Sequence, residues 1–464
     1  MRRALVPLAA LVALALPAPA FAARIETWTT QSRYVDPAKV QFNGPPRPAA
    51  LKVNVFIPDG YDGKRAFPVL YLLHGHGDSY DDWAGKGQVA QIAKDLGALI
   101  VMPEGARGWY TDWWNGGRRG APAWERYHLD ELIPLVERRL KIRPGRRWHA
   151  IAGLSMGGEG AIYYASQRPG YFGSAASFSG VLSLQRPEWP SAFDTQGEKH
   201  DEVFGDPDAQ RFYWTGHNPT ALIRNLAHTH LFVAVGDGTP GSPGEVTNYF
   251  GALAETDLHQ HADDFVAAAR GNGIPVTYRP QQGIHDWPYW RRHLAQAIEW
   301  GLFRPVDEHP ADWTFQTVSR SGRMWDLDYS FERDPDALET FTRKGAILSA
   351  TGAGRVRITT GEGCRLTAAL PFSEPLPVGC TPPRLRISVH PRRAKAGERT
   401  RFRFRVTARS KPVRRALVRF AGKRARTNRR GRARITVRLG RRGRRNARVS
   451  LRGMRPGLAV VRVR

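Results

Sequence analysis

A serine with the surroundings of a nucleophile lies in the stretch IAGLSMGGEG, residues 151–160. Ser155 stands between Gly153 and Gly157, which gives the pattern G-x-S-x-G. Such a pattern holds a serine on a sharp strand-to-helix turn, where its hydroxyl is exposed. The strand-like run WHAIAGLS precedes this turn, and a helical pattern follows it through GAIYYASQ. The context therefore predicts a nucleophile rather than an ordinary serine in a glycine-rich loop.

A serine hydroxyl needs a base, and folds with this turn carry the triad in the order serine, acid, histidine. His285 in GIHDWPYW follows a strand-like run and precedes the last helical pattern, so we predict it as the base. A carboxylate must fix the tautomer of that imidazole and stabilise its protonated form. Asp237, directly after the strand-like LFVAVG, and Glu255, in ALAETDL, both lie between serine and histidine. Spacing alone does not choose between them.

Two backbone N–H groups are predicted to stabilise an oxyanion. The helix that starts after the serine offers the N–H of Met156. The loop in YLLHGHGDSYDDW, after an early strand, leaves the backbone around His76 open between two glycines.

Aromatic and acidic side chains near these motifs could line an acyl or sugar pocket. The candidates are Tyr110, Trp113 and Trp287, with packing in the core as the alternative for each. Asp112 in YTDW is predicted either to orient a substrate hydroxyl or to hold its own loop.

Two pairs of histidines have spacings found in metal sites. They are His74 and His76 in HGH, and His259 and His261 in DLHQHADD. No convergent third group is identifiable for either pair, and ligand spacing alone is a weak signal. We therefore expect no metal site, and the acyl chemistry outlined above needs no metal or organic cofactor.

The elements that must position these groups alternate between strands and helices from about Leu51 to Arg304. LKVNVFI, PVLYLLHG, ALIVMPEG and HLFVAVGDG indicate buried strands, and ELIPLVERRL and RRHLAQAIEWGLF indicate helices. This alternation predicts an α/β sandwich on a mostly parallel sheet, in a domain over residues 23–305.

The texture changes after that domain. Residues 306–383 hold short alternating runs such as GRVRITT and predict a small β module. Residues 384–464 alternate more regularly, as in RFRFRVTA and RARITVRLG, with arginines at the outward positions. Several short strands at regular spacing predict an immunoglobulin-like β-sandwich in this last segment.

Residues 1–22 have the features of a secretory signal. Two arginines at positions 2 and 3 precede the apolar run ALVPLAALVALAL, and the small-residue site AFA follows. The run is short for a membrane span, so we predict a cleaved signal peptide rather than an anchor. The protein is then expected to be secreted or associated with the cell wall, with Cys364 and Cys380 paired in an oxidising compartment.

Positive charge is concentrated at the C-terminal end. Of 70 Lys and Arg, 31 lie in residues 381–464, where Glu398 is the one acid; the remainder of the chain is nearly neutral. We expect residues 384–464 to bind an anionic cell-wall polymer, with acidic glycans or lipid head groups as other anionic partners. We expect no specific nucleic acid, because charge of this kind contacts phosphates without reading sequence. A basic spacer without a partner is the alternative.

The stretch from about Phe56 to Phe303 resembles the esterase D family. Within that family it is similar to the secreted mycolyltransferases and related actinobacterial-type esterases. The motifs VLYLLHG, WYTDWW, GLSMGG, SFSGVL, GDGTPG and HDWPYW carry the resemblance and occur in order. It implies an α/β-hydrolase fold, an acyl-enzyme mechanism, and oxyanion N–H groups at His76 and Met156.

The resemblance also bears on the acid and on the substrate. The mycolyltransferase pattern has a glutamate ten residues before an aromatic in the helix ahead of the last strand, as Glu255 stands before Phe265, which favours Glu255 over Asp237. HGHGD replaces an aspartate and arginine associated with the sugar acceptor, which argues against mycolyl transfer to trehalose. We predict a serine esterase or acyltransferase acting on an acyl-sugar or lipid-like ester. The alternatives are a feruloyl-type carbohydrate esterase, a peptidase, or a non-catalytic wall-binding protein.

Overall fold

The computed structural model describes residues 22–43, 50–115, 122–241, 248–380, 383–451 and 454–464. All but the last residue of the predicted signal peptide lies outside these ranges. Within them, no helix combines the length and the hydropathy that a membrane crossing requires. The chain divides into two compact units; the first runs to Gly361 and resumes over Arg365–Leu376, and the second comprises Glu362–Cys364 and Pro377–Arg464.

The first unit is built on an eight-stranded sheet with the order β1-β2-β4-β3-β5-β6-β7-β8. Strand β2 is antiparallel to both of its neighbours, and the remaining strand pairs are parallel. This mixed sheet fits an α/β-hydrolase fold and confirms the predicted mostly parallel sheet. The strands are β1 Arg24–Thr30, β2 Leu51–Ile57, β3 Val69–Leu73, β4 Leu99–Pro103, β5 His149–Leu154, β6 Ser174–Phe178, β7 His230–Val235 and β8 Val276–Pro280.

Helices cover both faces of this sheet. In β3, Val69, Tyr71 and Leu73 pack into one core with α4 and α8, and Leu70 and Leu72 pack into another with α1 and α9. Burial on both faces explains why the central strands are continuous apolar runs. The helices are α1 Val89–Ile92, α2 Trp124–Arg126, α3 Ile133–Arg139, α4 Met156–Gln167, α5 Trp189–Gln196, α6 His200–Val203, α7 Arg211–His217, α8 Tyr249–Gly271 and α9 Trp287–Trp300.

Two four-stranded antiparallel sheets complete the first unit, in the orders β10-β11-β14-β15 and β16-β13-β12-β9. Alternate apolar side chains of these strands enclose a core of their own. The strands are β9 Asp312–Thr317, β10 Ser321–Met324, β11 Leu327–Phe331, β12 Glu339–Lys344, β13 Ile347–Ala350, β14 Arg355–Thr360, β15 Arg365–Ala369 and β16 Phe372–Pro375.

The second unit is built of mostly antiparallel strands in two sheets. One sheet has the order β17-β19-β20, with β23 also pairing with β19, and the other has the order β18-β25-β24-β21-β22. The predicted disulfide between Cys364 and Cys380 is present. The immunoglobulin-like character of this unit stays a prediction. The strands are β17 Arg386–His390, β18 Arg393–Ala394, β19 Arg399–Ala408, β20 Lys411–Pro412, β21 Leu417–Phe420, β22 Lys423–Arg426, β23 Arg432–Arg438, β24 Gly443–Leu451 and β25 Met454–Val463.

Candidate active site

Ser155 lies on a sharp turn between β5 and α4. Its φ of 51° falls in a region that residues with a side chain seldom occupy, as expected of a nucleophile turn. The turn is also crowded: a side chain at Gly153 would collide with the carbonyl of Gly157, and one at Gly157 would collide with the backbone of His74. Both glycines of the motif are therefore required by close packing.

His285 connects the serine to an acid. Its Nε2 lies 2.9 Å from Ser155 Oγ, and its Nδ1 lies 2.8 Å from Glu255 Oε2. With Glu255 ionised, Nδ1 carries the hydrogen and donates it to the carboxylate, so Nε2 is free to accept the serine hydroxyl.

Glu255 has the environment of a stable buried carboxylate. It lies on α8 with none of its surface exposed. Its Oε1 accepts hydrogen bonds from Ser179 Oγ at 2.6 Å and from the Gly236 N–H at 2.5 Å. Burial alone would raise its pKa, but the hydrogen bonds from His285, Ser179 and Gly236 outweigh it and hold the pKa below the usual value.

The same helix also orients the histidine. The side chain of Asn248 caps α8 by accepting from the Gly251 N–H, and the carbonyl of Gly251 accepts from the His285 N–H at 3.0 Å. Gly251 precedes Glu255 by about one helical turn. The acid and the backbone anchor of the base therefore belong to one element.

Asp237, the other predicted acid, does not reach His285. Its Oδ1 accepts from the N–H and the hydroxyl of Thr239 and, at 3.4 Å, from the Gly283 N–H. The structure thus brings Glu255 and not Asp237 to the base.

The two predicted oxyanion donors lie at the start of α4 and in the loop after β3. Met156 is the first residue of α4, so its N–H has no acceptor within the helix. The Gly75 carbonyl accepts from His74 Nδ1 at 2.8 Å and from the Asp78 N–H at 3.1 Å. Because a trans peptide directs its N–H away from its carbonyl, these two bonds fix the direction of the His76 N–H.

A second set of contacts, not anticipated from the sequence, holds His76. Its carbonyl accepts from Asn43 Nδ2 at 2.6 Å, and its Nε2 lies 2.6 Å from Glu198 Oε2. Arg107 joins these partners, because its Nε donates to Asn43 Oδ1 at 2.8 Å and its Nη1 lies 3.7 Å from Glu198 Oε1. No local motif signals this network, because its members are far apart in sequence.

Ser155 and His285 line a cleft of about 640 Å³. Most of its wall is apolar, and it includes Trp287, one of the predicted pocket residues. The indole N–H of Trp109 has no hydrogen-bond partner among the described residues, although it is buried. The other large side chains on the wall are Trp189, Trp290, Phe250, Leu154 and Leu258.

The other three predicted pocket residues do not line this cleft. Tyr110 is buried, and its hydroxyl donates to the His74 carbonyl at 3.0 Å. Asp112 pairs with Arg126 Nε at 2.5 Å, so its carboxylate holds its own loop. Trp113 lines a separate cavity of about 260 Å³.

The histidines with metal-like spacing make other contacts. His74 Nε2 accepts from the Gly105 N–H at 2.9 Å, and His259 Nδ1 lies 2.7 Å from the Gly236 carbonyl. His261 Nδ1 accepts from the Ser183 N–H at 3.1 Å. In the part of the chain that the structure describes, no three His, Cys, Asp or Glu residues are grouped to hold a metal ion.

A model of the Esterase family matches residues 48–300, more than half of the chain. The chain belongs to the Esterase family. Membership confirms the family resemblance seen in the motifs. An esterase of Mycobacterium tuberculosis is 32% identical over 248 residues, which are 50% of this chain and 52% of that protein. The diacylglycerol acyltransferase/mycolyltransferase Ag85B of Mycolicibacterium smegmatis is 28% identical over 53% of this chain and 79% of that protein.

The chain thus spans about half the length of the Mycobacterium tuberculosis relative that it matches. Among solved structures, an S-formylglutathione hydrolase from Staphylococcus aureus matches 60% of this chain and 98% of its own, with a TM-score of 0.46 and 18% identity.

Proposed function

We propose that the chain is a serine esterase or acyltransferase that forms an acyl-enzyme on Ser155. The observation that carries this proposal is the continuous hydrogen-bond chain from Glu255 through His285 to Ser155, on a turn that exposes the serine hydroxyl. Membership of the Esterase family supports the same reaction class.

In the proposed reaction, His285 Nε2 takes the proton of Ser155 Oγ as that oxygen attacks the ester carbonyl. The N–H groups of His76 and Met156 stabilise the oxyanion, and Glu255 stabilises the imidazolium without taking its proton. The ester C–O bond then breaks, and the alcohol leaves with the proton from His285. Water or an acceptor hydroxyl attacks the acyl-enzyme, and its proton returns to the serine through the same histidine.

The wall of the cleft supports an ester with an apolar acyl group, in an acyl-sugar or lipid-like substrate. The names of the curated relatives, which include a diacylglycerol acyltransferase/mycolyltransferase, support acyl transfer as well as hydrolysis. The tryptophans of the wall also suit an aromatic acyl group, which favours a feruloyl-type carbohydrate esterase as the second candidate.

We also propose that the protein is secreted or associated with the cell wall, and that residues 384–464 form an immunoglobulin-like module that binds an anionic wall polymer. The signal-like residues 1–22 and the disulfide between Cys364 and Cys380 support an extracytoplasmic location. The presence of 31 basic residues and one acid in residues 381–464 supports an anionic partner.

The decisive experiment is hydrolysis of p-nitrophenyl esters of graded acyl length by the purified full chain and by Ser155→Ala. We expect the variant to lose about 10³-fold or more of kcat/KM. A fluorophosphonate probe should label the wild-type chain and not the variant. An unlabelled wild-type chain would instead support the non-catalytic wall-binding alternative. A preference for feruloyl over aliphatic esters would favour the carbohydrate-esterase candidate.

A further inference from the structure

One sheet of the second unit has an outward face made only of arginine, serine, threonine and histidine. We name it the arginine face; it consists of the alternate residues of 386–390, 399–407 and 432–438, on β17, β19 and β23. Eight of its twelve side chains are arginines. The intervening residues, such as Phe402 and Phe404, are buried in the core, which confirms the predicted outward placement of the arginines.

Strand register sets these arginines directly against one another. The opposed pairs are Arg399 with Arg438, Arg403 with Arg434, and Arg405 with Arg432. Like charges opposite each other destabilise a sheet, because their Cβ atoms are about 4.5–5.5 Å apart. Residues 381–464 supply one carboxylate, Glu398, against this charge. The arginine face thus concentrates positive charge that a bound anion would offset.

The chemistry of the face favours phosphate groups in a linear array. Of the 31 basic residues in 381–464, 28 are arginines, whose planar guanidinium groups bind phosphate through two parallel hydrogen bonds. Side chains on one face of a strand repeat about every 7 Å. A polymer with a phosphate in every repeat unit can therefore contact successive arginines along a strand.

The same face lacks the features that recognise nucleic-acid bases. Single-stranded nucleic acid is held by stacking of bases on exposed aromatic rings. The aromatic residues of β19, Phe402 and Phe404, are buried. The outward positions of the three strands offer no ring other than that of His390. Contact through backbone charge alone favours a phosphodiester polymer without bases.

We propose that the arginine face binds a linear phosphodiester polymer of the poly(glycerol phosphate) type along its strands. The inference deepens the proposed binding of residues 384–464 to an anionic polymer. It does not depend on the proposed ester chemistry.

Two matched triple variants of the full chain test the proposal. The first, Arg403→Gln, Arg405→Gln and Arg434→Gln, removes three charges and one opposed pair from the arginine face. The control, Arg419→Gln, Arg448→Gln and Arg462→Gln, removes three exposed charges and one opposed pair from the other sheet of the second unit. Both variants therefore have the same net charge.

The measurement is binding of fluorescently labelled poly(glycerol phosphate) at several salt concentrations. We expect the face variant to weaken binding at least tenfold and to lower the slope of log Kd against log salt concentration by about two, and the control to change Kd less than twofold. Equal weakening by the two variants would overturn the proposal, since net charge alone would then explain binding. Tighter binding of random-sequence single-stranded DNA than of poly(glycerol phosphate) would also overturn it.

Thermal unfolding and p-nitrophenyl ester hydrolysis complete the experiment. Unchanged unfolding midpoints in the two variants show that any loss of binding comes from the substituted arginines and not from unfolding. Polymer binding without ester hydrolysis by the wild-type chain would contradict the proposed catalytic function and leave the arginine face supported. Hydrolysis without polymer binding would overturn the arginine face alone.

Discussion

The two carboxylates predicted as candidates for the acid differ in their hydrogen-bond partners. Glu255 is fully buried and bonded to His285 Nδ1, whereas Asp237 bonds to its own loop at Thr239. We expect Glu255→Gln to lower kcat/KM about 10³- to 10⁴-fold, because a neutral amide neither fixes the tautomer nor stabilises the imidazolium. Asp237→Asn, the matched control, should stay within about twofold of wild type in the same ester assay. Similar losses in the two variants would contradict the assignment of the acid.

His76 is proposed to act through its backbone N–H, so its side chain should affect the reaction by holding that N–H in position. Glu198→Gln weakens the bond to the His76 ring, and His76→Ala removes that ring while keeping the N–H. We expect each change to lower kcat about tenfold with little effect on KM, because an oxyanion exists in the transition state and not in bound substrate.

The double variant tests whether the two side chains act as one unit. Its kcat should fall no further than that of either single variant, since both remove the same contact. Losses that multiply, or a change confined to KM, would show that Glu198 does not act through His76.

At the scale of elements, α2 and α4 bury acids that the proposed reaction does not use. Glu125 on α2 accepts from the Tyr163 hydroxyl at 2.8 Å, and burial together with the neighbouring Asp112 raises its pKa to about 8. The ordinary value is 4.5, so the folded state binds this proton more tightly than the unfolded chain does. The contribution of Glu125 to the free energy of unfolding should therefore be fully present below about pH 4.5 and be lost as the pH rises toward about 8.

Glu125→Gln checks this pH dependence. The amide retains an oxygen for Tyr163 but does not ionise, so we expect its unfolding midpoint to fall less than that of wild type between about pH 5 and pH 8. Parallel curves for the two proteins would contradict the assignment of the raised pKa to Glu125.

The elements that could be predicted from the sequence are those whose amino-acid composition reflects their burial. Strand β3 is apolar at every position because both of its faces are covered, and the helix after Ser155 follows from its glycine motif. Strand β6, Ser174–Phe178, was not predicted, because its small residues SAASF give no apolar run although all five are buried. Strand β1 was not predicted either, because it is an edge strand with one neighbour and most of its residues are not buried.

The site divides in a similar way. Ser155, His285 and Glu255 could be named because a local motif, chain order and a family pattern mark them. Asn43 and Glu198 could not, because their contacts with His76 join loops 33 and 122 residues away in sequence. The aromatic run WYTDWW suggested a pocket, but an aromatic run in sequence does not distinguish a cleft wall from core packing.

At the scale of the whole molecule, the composition changes near residue 306, and the strands β9–β16 belong to the same compact unit as the large sheet. Arg146 is one reason. Its buried guanidinium donates to the carbonyls of Phe172, His228 and Asp307 at 2.8–2.9 Å and lies 4.8 Å from the ring centre of Trp325. This side chain thus binds the segment that follows the helix α9 to the large sheet.

Removing that side chain should loosen the whole first unit. We expect Arg146→Ala to lower the free energy of unfolding by about 3 kcal/mol, because several buried carbonyls lose their donor. Arg146→Lys should recover only part of this, since an ammonium group cannot reproduce the planar fork of donors. Urea unfolding of the full chain measures both changes. A loss below about 1 kcal/mol in the alanine variant would contradict this role.

The contact between the His285 N–H and the Gly251 carbonyl has a mechanical consequence. The base is tied to the helix that carries its acid, and Ser155 is tied to the sheet. Glu255 also accepts from Ser179 and Gly236, which follow the strands β6 and β7, so the acid is bonded to the sheet as well as to its own helix. The proposed base is thus positioned from two directions, by α8 and by the sheet that carries Ser155. A shift of α8 alone would have to break these bonds before it could separate His285 from the serine.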